Sequence, residues 1–187
     1  MKFAVSKFTD ISISTGKYMS ILTFKRANYQ EMSIVAELIR SSAHWYEPFL
    51  AKKDLKEHYV GQEWIDENFH KREFYLVSHS DKKNVGMISL QFEFNYTYLG
   101  YVYLCSKQVG KGYGKHLLDF AKKHTIEKSM DGIGLLAHPQ AHWALKAYEK
   151  YGFKKILTKK DEILSWNNKL LRPYYEEGFE LYTYDLK

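Results

Sequence analysis

The sequence predicts one mixed α/β domain, and three observations lead to this prediction. The chain has 187 residues, which is the usual size of one compact domain with a real core. Apolar residues make up 45% of the chain, and neither a repeat nor a linker divides it. Segments with the period of a strand and of a helix follow one another in the order β, α, α, β, β, β, α, β, α, β, β.

The first elements follow a weakly patterned segment. Residues 1–18 are expected to be an N-terminal extension or an edge strand, and residues 19–187 to form the domain. A strand is predicted over 21–26, and a helix begins at Asn28 or Tyr29. The apolar residues at helical spacing that predict this helix are Met32, Val35, Ala36 and Ile39.

The later elements follow from the same two periods. A charged helical stretch over 52–69 is expected to break near Gly61. The mostly polar segment 159–173 is predicted to be a loop. The elements between and after these are strands at 74–77, 85–92 and 98–105, a helix at 114–128, a strand at 133–137, a helix at 143–151 ended by Gly152, and strands at 153–157 and 179–184.

Composition narrows the classes of function. The net charge of +6 would attract polyanions or an anionic cofactor, but the lysines are spread as pairs, so nucleic-acid binding is not expected. The single Cys105 excludes a disulfide framework and a four-cysteine zinc site, and no metal is expected. Without an apolar run of about 20 residues or a signal segment, we expect a cytoplasmic protein without membrane contact, a monomer or a homodimer.

A glycine-rich turn between a strand and a helix carries the most information. Glycines spaced by two in Val109-Gly110-Lys111-Gly112-Tyr113-Gly114 let the backbone approach a ligand and direct N–H groups at it. The helix that follows adds the positive end of its dipole, and Lys111 and Lys115 add charge, so the turn suits phosphate. A P-loop and a Rossmann fingerprint both need other residues or another strand. A turn that binds nothing is the alternative.

This turn resembles the cofactor motif of the GNAT superfamily of N-acetyltransferases, Arg/Gln-x-x-Gly-x-Gly/Ala. Gly112 and Gly114 match its two glycines, whereas Val109 stands where Arg or Gln is usual and Gln108 lies one residue earlier. The resemblance implies a single domain whose mixed, splayed, mostly antiparallel sheet is flanked by helices, with acetyl-CoA as co-substrate. The residues that it implies for CoA, through the pantetheine arm and then the pyrophosphate, are Leu104, Cys105, Ser106, Val109, Gly110, Lys111, Gly112, Tyr113, Gly114 and Lys115.

A second match centres on Tyr148, which lies 34 residues beyond Gly114. The segment from Ala141 to Phe153 is similar to the family's Asn-x-x-Ala-x-x-x-Tyr-x-x-x-Gly-Phe, with Tyr148 at the tyrosine that protonates the departing thiolate. A positioned phenol can carry out this proton transfer. Ala141 replaces the usual Asn, and His142 could supply the missing hydrogen bond to the cofactor arm. A core tyrosine on an amphipathic helix is the alternative for Tyr148.

The group that accepts the proton of the attacking amine has no clear match. Many relatives carry a carboxylate on the central strand where this chain has Tyr98. Glu93, just before that strand, is the nearest candidate, acting through water, and a solvated strand-end carboxylate is its alternative. Cys105 as a covalent nucleophile is disfavoured, because a lone cysteine on a central strand is usually a small buried hydrophobe.

The acceptor is predicted from the segments that set specificity in this family. They are rich in aromatic residues here, which suggests an apolar or cationic acceptor, and Glu176 and Glu177 could attract an amine. Simple packing is the alternative for these aromatic residues. They are Trp45, Tyr46, Trp64, Phe92, Phe94, Trp166, Tyr174 and Tyr175.

Together these observations predict an acetyl-CoA-dependent N-acetyltransferase that transfers acetyl directly to a primary amine of a small molecule or peptide. A CoA-binding sensor or interaction module without catalysis is the alternative from another class. A protein-lysine acetyltransferase is a third possibility, which differs in the acceptor alone.

Overall fold

The computed structural model describes residues 11–13, 22–55, 58–79 and 84–187. The strands are β1 (Ile11–Ile13), β2 (Leu22–Arg26), β3 (Glu73–His79), β4 (Asn84–Glu93), β5 (Tyr96–Leu104), β6 (Gly132–Ala137), β7 (Lys154–Leu157) and β8 (Glu180–Asp185). The α-helices are α1 (Met32–Ser42), α2 (Lys52–Leu55), α3 (Gln62–Asn68), α4 (Tyr113–Glu127), α5 (His142–Tyr151) and α6 (Lys160–Lys169).

The strands of this described part form one sheet in the order β1-β2-β3-β4-β5-β6-β8-β7. All neighbouring strands are antiparallel except β5 and β6, which are parallel. The predicted fold class, a mixed α/β domain with a mostly antiparallel sheet, is confirmed. β1 pairs with β2 at the edge of the sheet, whereas the predicted boundary between residues 18 and 19 lies outside the described residues.

Helices cover both faces of the sheet because the central strands alternate their apolar side chains. On β3, Phe74 and Leu76 pack with α1 and α3, while Tyr75 and Val77 face α4. Strands buried on both faces lack the polar alternation of a solvent-facing sheet. On the α4 side, Phe24 and Phe120 stack with ring centroids 4.2 Å apart.

The sheet opens between its two parallel strands. β5 and β6 pair at Tyr96 with Gly132, Thr97 with Ile133 and Tyr98 with Gly134, and no pairing between them is recorded beyond Tyr98. β5 nevertheless continues to Leu104 and β6 to Ala137. The strands therefore part towards their carboxyl ends, as the resemblance implied, and leave a gap.

The prediction of a loop over 159–173 is wrong. This segment forms α6 and then a 3-10 turn at Arg172–Tyr174. Within α6 the buried side chain is Ile163, which packs in a cluster with Leu170 and Leu171 just after the helix. Trp166 lies against Gly134, where an added Cβ would come 3.2 Å from the indole ring. Tertiary burial of so few side chains leaves no helical period in the sequence.

The helix also bends in a way that the sequence does not suggest. Trp166, Asn167 and Asn168 have non-helical backbone angles, and both asparagines have a positive φ. Asparagine adopts this left-handed region more readily than most residues.

No helix of the described residues is long and apolar enough to cross a membrane.

Candidate functional site

The glycine-rich turn leads from β5 into the amino end of α4. Gly110 and Gly112 have φ angles of +83° and +85°, a left-handed conformation that side chains with a Cβ rarely adopt. Gly112 directly precedes α4, and no side chain caps the first turn of this helix. Its first N–H groups are therefore left for another acceptor, at the positive end of a 15-residue helix.

The surface of this turn is clear of other protein atoms. A Cβ added to Gly110, Gly112 or Gly114 would meet nothing within 4 Å. At its rim, the Lys111 ammonium donates to the Gln108 side chain at 3.1 Å, and Lys115 pairs with Asp119 at 2.6 Å. The exposed Val109 and the half-buried Tyr113 complete the predicted turn. An open, cationic surface of backbone N–H groups fits a pyrophosphate.

The end of β5 offers backbone groups to the gap. The Cys105 N–H donates to the Val85 carbonyl of β4 at 2.8 Å. In an antiparallel pair the hydrogen-bonding direction alternates, so the N–H and C=O of Leu104 face away from β4, towards the gap. Ser106 then begins a 3-10 turn. These positions agree with the implied path of a pantetheine arm.

The environment of Cys105 does not favour a nucleophile. Burial raises the pKa of its thiol, and the Sγ–H donates to the Asn84 carbonyl at 3.3 Å. A reactive cysteine needs its pKa lowered, because the thiolate is the nucleophile. Cys105 directly follows β5, a central strand of the sheet, and its raised thiol pKa does not suit a nucleophile.

Tyr148 lies on α5 at a narrow cavity in the gap. This cavity of about 60 Å³ is bounded by β5, the end of β6 and α5. Burial, and then the neighbouring Tyr46, raises the pKa of Tyr148, so the phenol keeps its proton at neutral pH. The predicted proton donor thus faces the space beside the open strand. His142, by contrast, is exposed at the first residue of α5, with the buried Ala141 before it.

A histidine that the sequence did not single out lies in the same cavity. His58 is 4% exposed, its Nδ1 is 3.1 Å from the Tyr103 hydroxyl, and its Nε2 is 3.4 Å from Glu176 Oε2. Its ring stacks on Tyr46 with centroids 4.4 Å apart. Burial, and then the Glu176 carboxylate, raises the pKa of Tyr46 to about 12. The tyrosines supply hydroxyl groups, while His58 and Glu176 can accept a proton.

No motif could have revealed His58. It follows α2 in a charged stretch with no spacing that points to a site. The sequence suggests that Glu176 attracts an amine, but no pattern in it predicts that Glu176 contacts a histidine 118 positions away. Their contact depends on tertiary structure alone.

A second, larger cavity of about 780 Å³ lies next to the narrow one. Its volume falls within the range of small-molecule sites. It is lined by four carboxylates, several basic groups and aromatic rings. Five residues line both cavities, and the boundary that they form is called the passage: Tyr98, Gly100, Tyr101, Tyr174 and Glu176.

Glu93 belongs to this larger cavity. It is exposed at the end of β4, and Gln91 Nε2 donates to its carboxylate at 2.6 Å. Tyr148 lines the narrow cavity and not this one. The structure therefore does not bring the two predicted catalytic residues together, and a catalytic role for Glu93 stays a prediction.

The predicted aromatic lining divides into two groups. Tyr46, Phe94, Tyr174 and Tyr175 line one or both cavities. The other four pack elsewhere: Trp45 against Trp143, Trp64 against Phe74 and Tyr101, Trp166 against Tyr96, and Phe92 under the Lys128 ammonium.

Among the described residues, no group of three or more His, Cys, Asp or Glu side chains is placed to hold a metal ion.

Known proteins resemble the chain in sequence pattern and in fold. The family model described as Acetyltransferase (GNAT) family matches residues 32–153. No curated protein matches the chain by sequence. PaiA N-acetyltransferase from Thermoplasma acidophilum in complex with coenzyme A has a TM-score of 0.67 at 20% identity, covering 88% of this chain and 98% of that one.

Two further solved structures share the architecture. A GNAT family acetyltransferase from Listeria monocytogenes has a TM-score of 0.68 at 18% identity, covering 94% of this chain and 100% of that one. Spermidine N-acetyltransferase from Vibrio cholerae in complex with CoA and spermine has a TM-score of 0.58 at 15% identity, covering 88% and 95%. At these identities the likeness concerns the fold.

Proposed function

The chain belongs to the acetyltransferase (GNAT) family, and from this premise we propose that it acetylates a primary amine of a small molecule or peptide, with acetyl-CoA as the donor. One observation carries the proposal. The parted strands and Tyr148 meet at a narrow cavity, the open glycine turn follows β5, which is one of these strands, and a larger cavity adjoins the narrow one. Donor and acceptor would approach this gap from its two sides.

The residues around the gap fit the donor. Backbone N–H groups between Gly110 and Gly114 would hold the pyrophosphate, since no protein atom fills the space above them. Leu104 would pair with the pantetheine arm through its backbone. When bound, acetyl-CoA supplies a thioester whose acetyl group is passed to the amine.

Tyr148 supports direct transfer as a proton donor. A phenol is protonated at neutral pH, and burial raises the pKa of Tyr148 further, so its hydroxyl can donate to the sulfur as the C–S bond breaks. Tyr148 must then recover a proton before the next turnover, and the hydroxyl groups of Tyr46 and Tyr103 lie on the same cavity.

For the proton of the amine we favour Glu176 and His58 over Glu93. Glu176 lies in the passage between the cavities, 3.4 Å from His58, whereas Glu93 lies at the outer strand end. A carboxylate beside an imidazole can accept the proton that the amine loses as its lone pair attacks the acetyl carbon. The amine is consistent with the spermine bound in the Vibrio cholerae relative.

The test is turnover of acetyl-CoA against a panel of amines and peptides, for the wild type and for Tyr148→Phe. We expect acetylated product from the wild type and a kcat about 100-fold lower in the variant, because a general acid is lost. Tyr184→Phe is the matched control, since its hydroxyl accepts from Lys122 and lines neither cavity. It should keep the wild-type kcat.

The same experiment separates the alternatives. CoA binding without product from any acceptor would favour a non-catalytic sensor or interaction module. Product from lysine side chains of folded proteins, and from no small amine, would favour a protein-lysine acetyltransferase. Absence of CoA binding would contradict all three.

A further inference from the structure

A buried arginine lines the larger cavity. Arg72, just before β3, is 9% exposed, and its guanidinium lies over the rings of Tyr101 and Tyr174, 5.2 and 4.6 Å from their centroids. It also lies against Gly100, where an added Cβ would come 2.6 Å from Arg72 Nη1. The missing side chain at Gly100 therefore makes the room that the guanidinium occupies.

Gly100 is itself an irregular position of the sheet. Ser89 pairs with Tyr101 and Leu90 with Leu99, so Gly100 is an extra residue on β5. The Tyr101 N–H donates to the Ser89 hydroxyl at 2.9 Å. Such a bulge bends the strand and re-aims its side chains. Here the extra residue, Gly100, lines both cavities.

The guanidinium of Arg72 is a buried positive charge without an ion pair in the described part of the chain. Across the described ranges, no carboxylate lies within 4.0 Å of its guanidinium, and its buried Nε has no hydrogen-bond partner. Buried charges are normally paired, because burial of an isolated one is costly. The faces of the two tyrosine rings offset this cost in part. The offset is incomplete because a cation–π contact is weaker than an ion pair.

We infer that Arg72 binds a carboxylate of the acceptor, so that the substrate is an amine that also carries a carboxylate. This inference rests on the proposed function and names the acceptor class. One buried positive charge balances one negative charge. The larger cavity also holds the carboxylates of Asp54, Glu67, Glu93 and Glu176. These would attract the ammonium group, while Lys71 and Lys169, which also line the cavity, offset their repulsion of the acceptor's carboxylate.

Both charged ends of such an acceptor then have a place. Arg72 contacts Tyr101 and Tyr174, and both tyrosines, with Glu176, line the passage to the narrow cavity. A carboxylate on Arg72 would direct the amine of the same molecule into this passage. Free amino acids and the carboxyl end of a short peptide share this chemistry.

The test compares acceptors that differ in this group alone. Each proteinogenic amino acid is assayed against its carboxamide, and one tripeptide with a free carboxyl end against its amidated form. We expect a kcat/KM at least about 10-fold higher for the acid of the accepted pair, mainly through KM. Whether the free amino acid or the tripeptide gives the larger value distinguishes the two sources.

Arg72 variants then assign the preference. Arg72→Gln should lower kcat/KM for the acid by about 100-fold, and for the amide far less, so that the preference disappears. Arg72→Lys should restore part of it. Arg26→Gln makes the same change at an exposed arginine outside both cavities and should keep the wild-type preference.

Two results would overturn the inference. One is an acetyltransferase that prefers amides or simple polyamines to every acid, which would leave the proposed function standing. The other is an Arg72→Gln variant whose kcat/KM falls equally for the acid and for the amide. If no acceptor turns over, calorimetric binding of the same acids and amides to the CoA-loaded protein decides, and equal affinities contradict the inference. Failure to bind CoA is the separate failure of the proposed function.

Discussion

At the scale of single residues, the proposed chemistry comes from side chains that the chain brings together from distant positions. His58, Tyr103 and Glu176 come from three separate parts of the sequence and meet within hydrogen-bond or ion-pair distance. Tyr148 could be predicted because it lies at a fixed distance from a glycine turn. His58 and Arg72 could not, since each depends on which rings surround it after folding.

Replacing Glu176 tests its function as the proton acceptor. Glu176→Gln should lower kcat at neutral pH by about 100-fold, because the amine then loses its proton without help. The activity should recover as the pH rises, since a larger fraction of the amine is already neutral. The measurement is kcat against pH, with thermal unfolding as a check on folding.

The neighbouring carboxylate provides the control. Glu177 is exposed and pairs with Lys160 at 2.7 Å, and it lines neither cavity. Glu177→Gln should keep the wild-type kcat and pH profile. Equal effects of the two substitutions, or an unchanged pH profile in Glu176→Gln, would argue against Glu176.

At the scale of elements, sequence periodicity identified most helices and strands to within a few residues. It succeeded where a whole apolar stripe is buried, as on α1, whose Met32, Val35, Ala36 and Ile39 are all core residues. It failed on α6, which buries Ile163 through packing on β8 and the following turn. A helix held by one buried side chain has no stripe to detect.

Substitutions in the glycine turn separate two effects of an added side chain: backbone strain at a positive φ, and loss of the space for the pyrophosphate. Gly114→Ala places a methyl group at a helical position that no protein atom fills, so stability should rise slightly, while the affinity for CoA falls by about 10-fold or more. Gly112→Ala should lower the affinity for CoA as well. Unlike Gly114→Ala, it should also lower the unfolding free energy by about 1 kcal/mol, because the φ of Gly112 is positive. Calorimetry with CoA and chemical denaturation measure both effects.

A third glycine serves as the reference. Gly61 precedes α3, has a φ of −129°, and an added Cβ meets nothing within 4 Å. Gly61→Ala should leave the affinity for CoA unchanged, because Gly61 precedes α3, which packs on the opposite face of the sheet from α4. A Gly114→Ala variant that binds CoA as tightly as Gly61→Ala would contradict the placement of the pyrophosphate.

At the scale of the whole molecule, buried tyrosines make the fold sensitive to alkali. Burial raises the pKa values of Tyr98 and Tyr103 above the ordinary value of 10.0. Their contribution to stability is therefore complete below pH 10.0 and is lost as the pH rises towards the folded values, since the unfolded chain releases these protons first.

The expected loss can be measured. Two such tyrosines should lower the unfolding free energy by roughly 3 kcal/mol per pH unit above the ordinary tyrosine pKa. Denaturant unfolding at a series of alkaline pH values gives the slope. Tyr98→Phe should make it shallower, and a stability that does not fall above the ordinary pKa would contradict the burial of both phenols.

The parted strands also have a thermodynamic meaning. Beyond Tyr98, the edge of β5 that faces β6 pairs with no strand of the described residues, so its peptide groups are left for other hydrogen-bond partners. A molecule that supplies an extended chain of amides there completes the sheet and adds its binding free energy to that of folding. The gap between β5 and β6 therefore leaves room in the sheet for an extended chain that another molecule supplies. The stability of the domain depends on the concentration of that molecule.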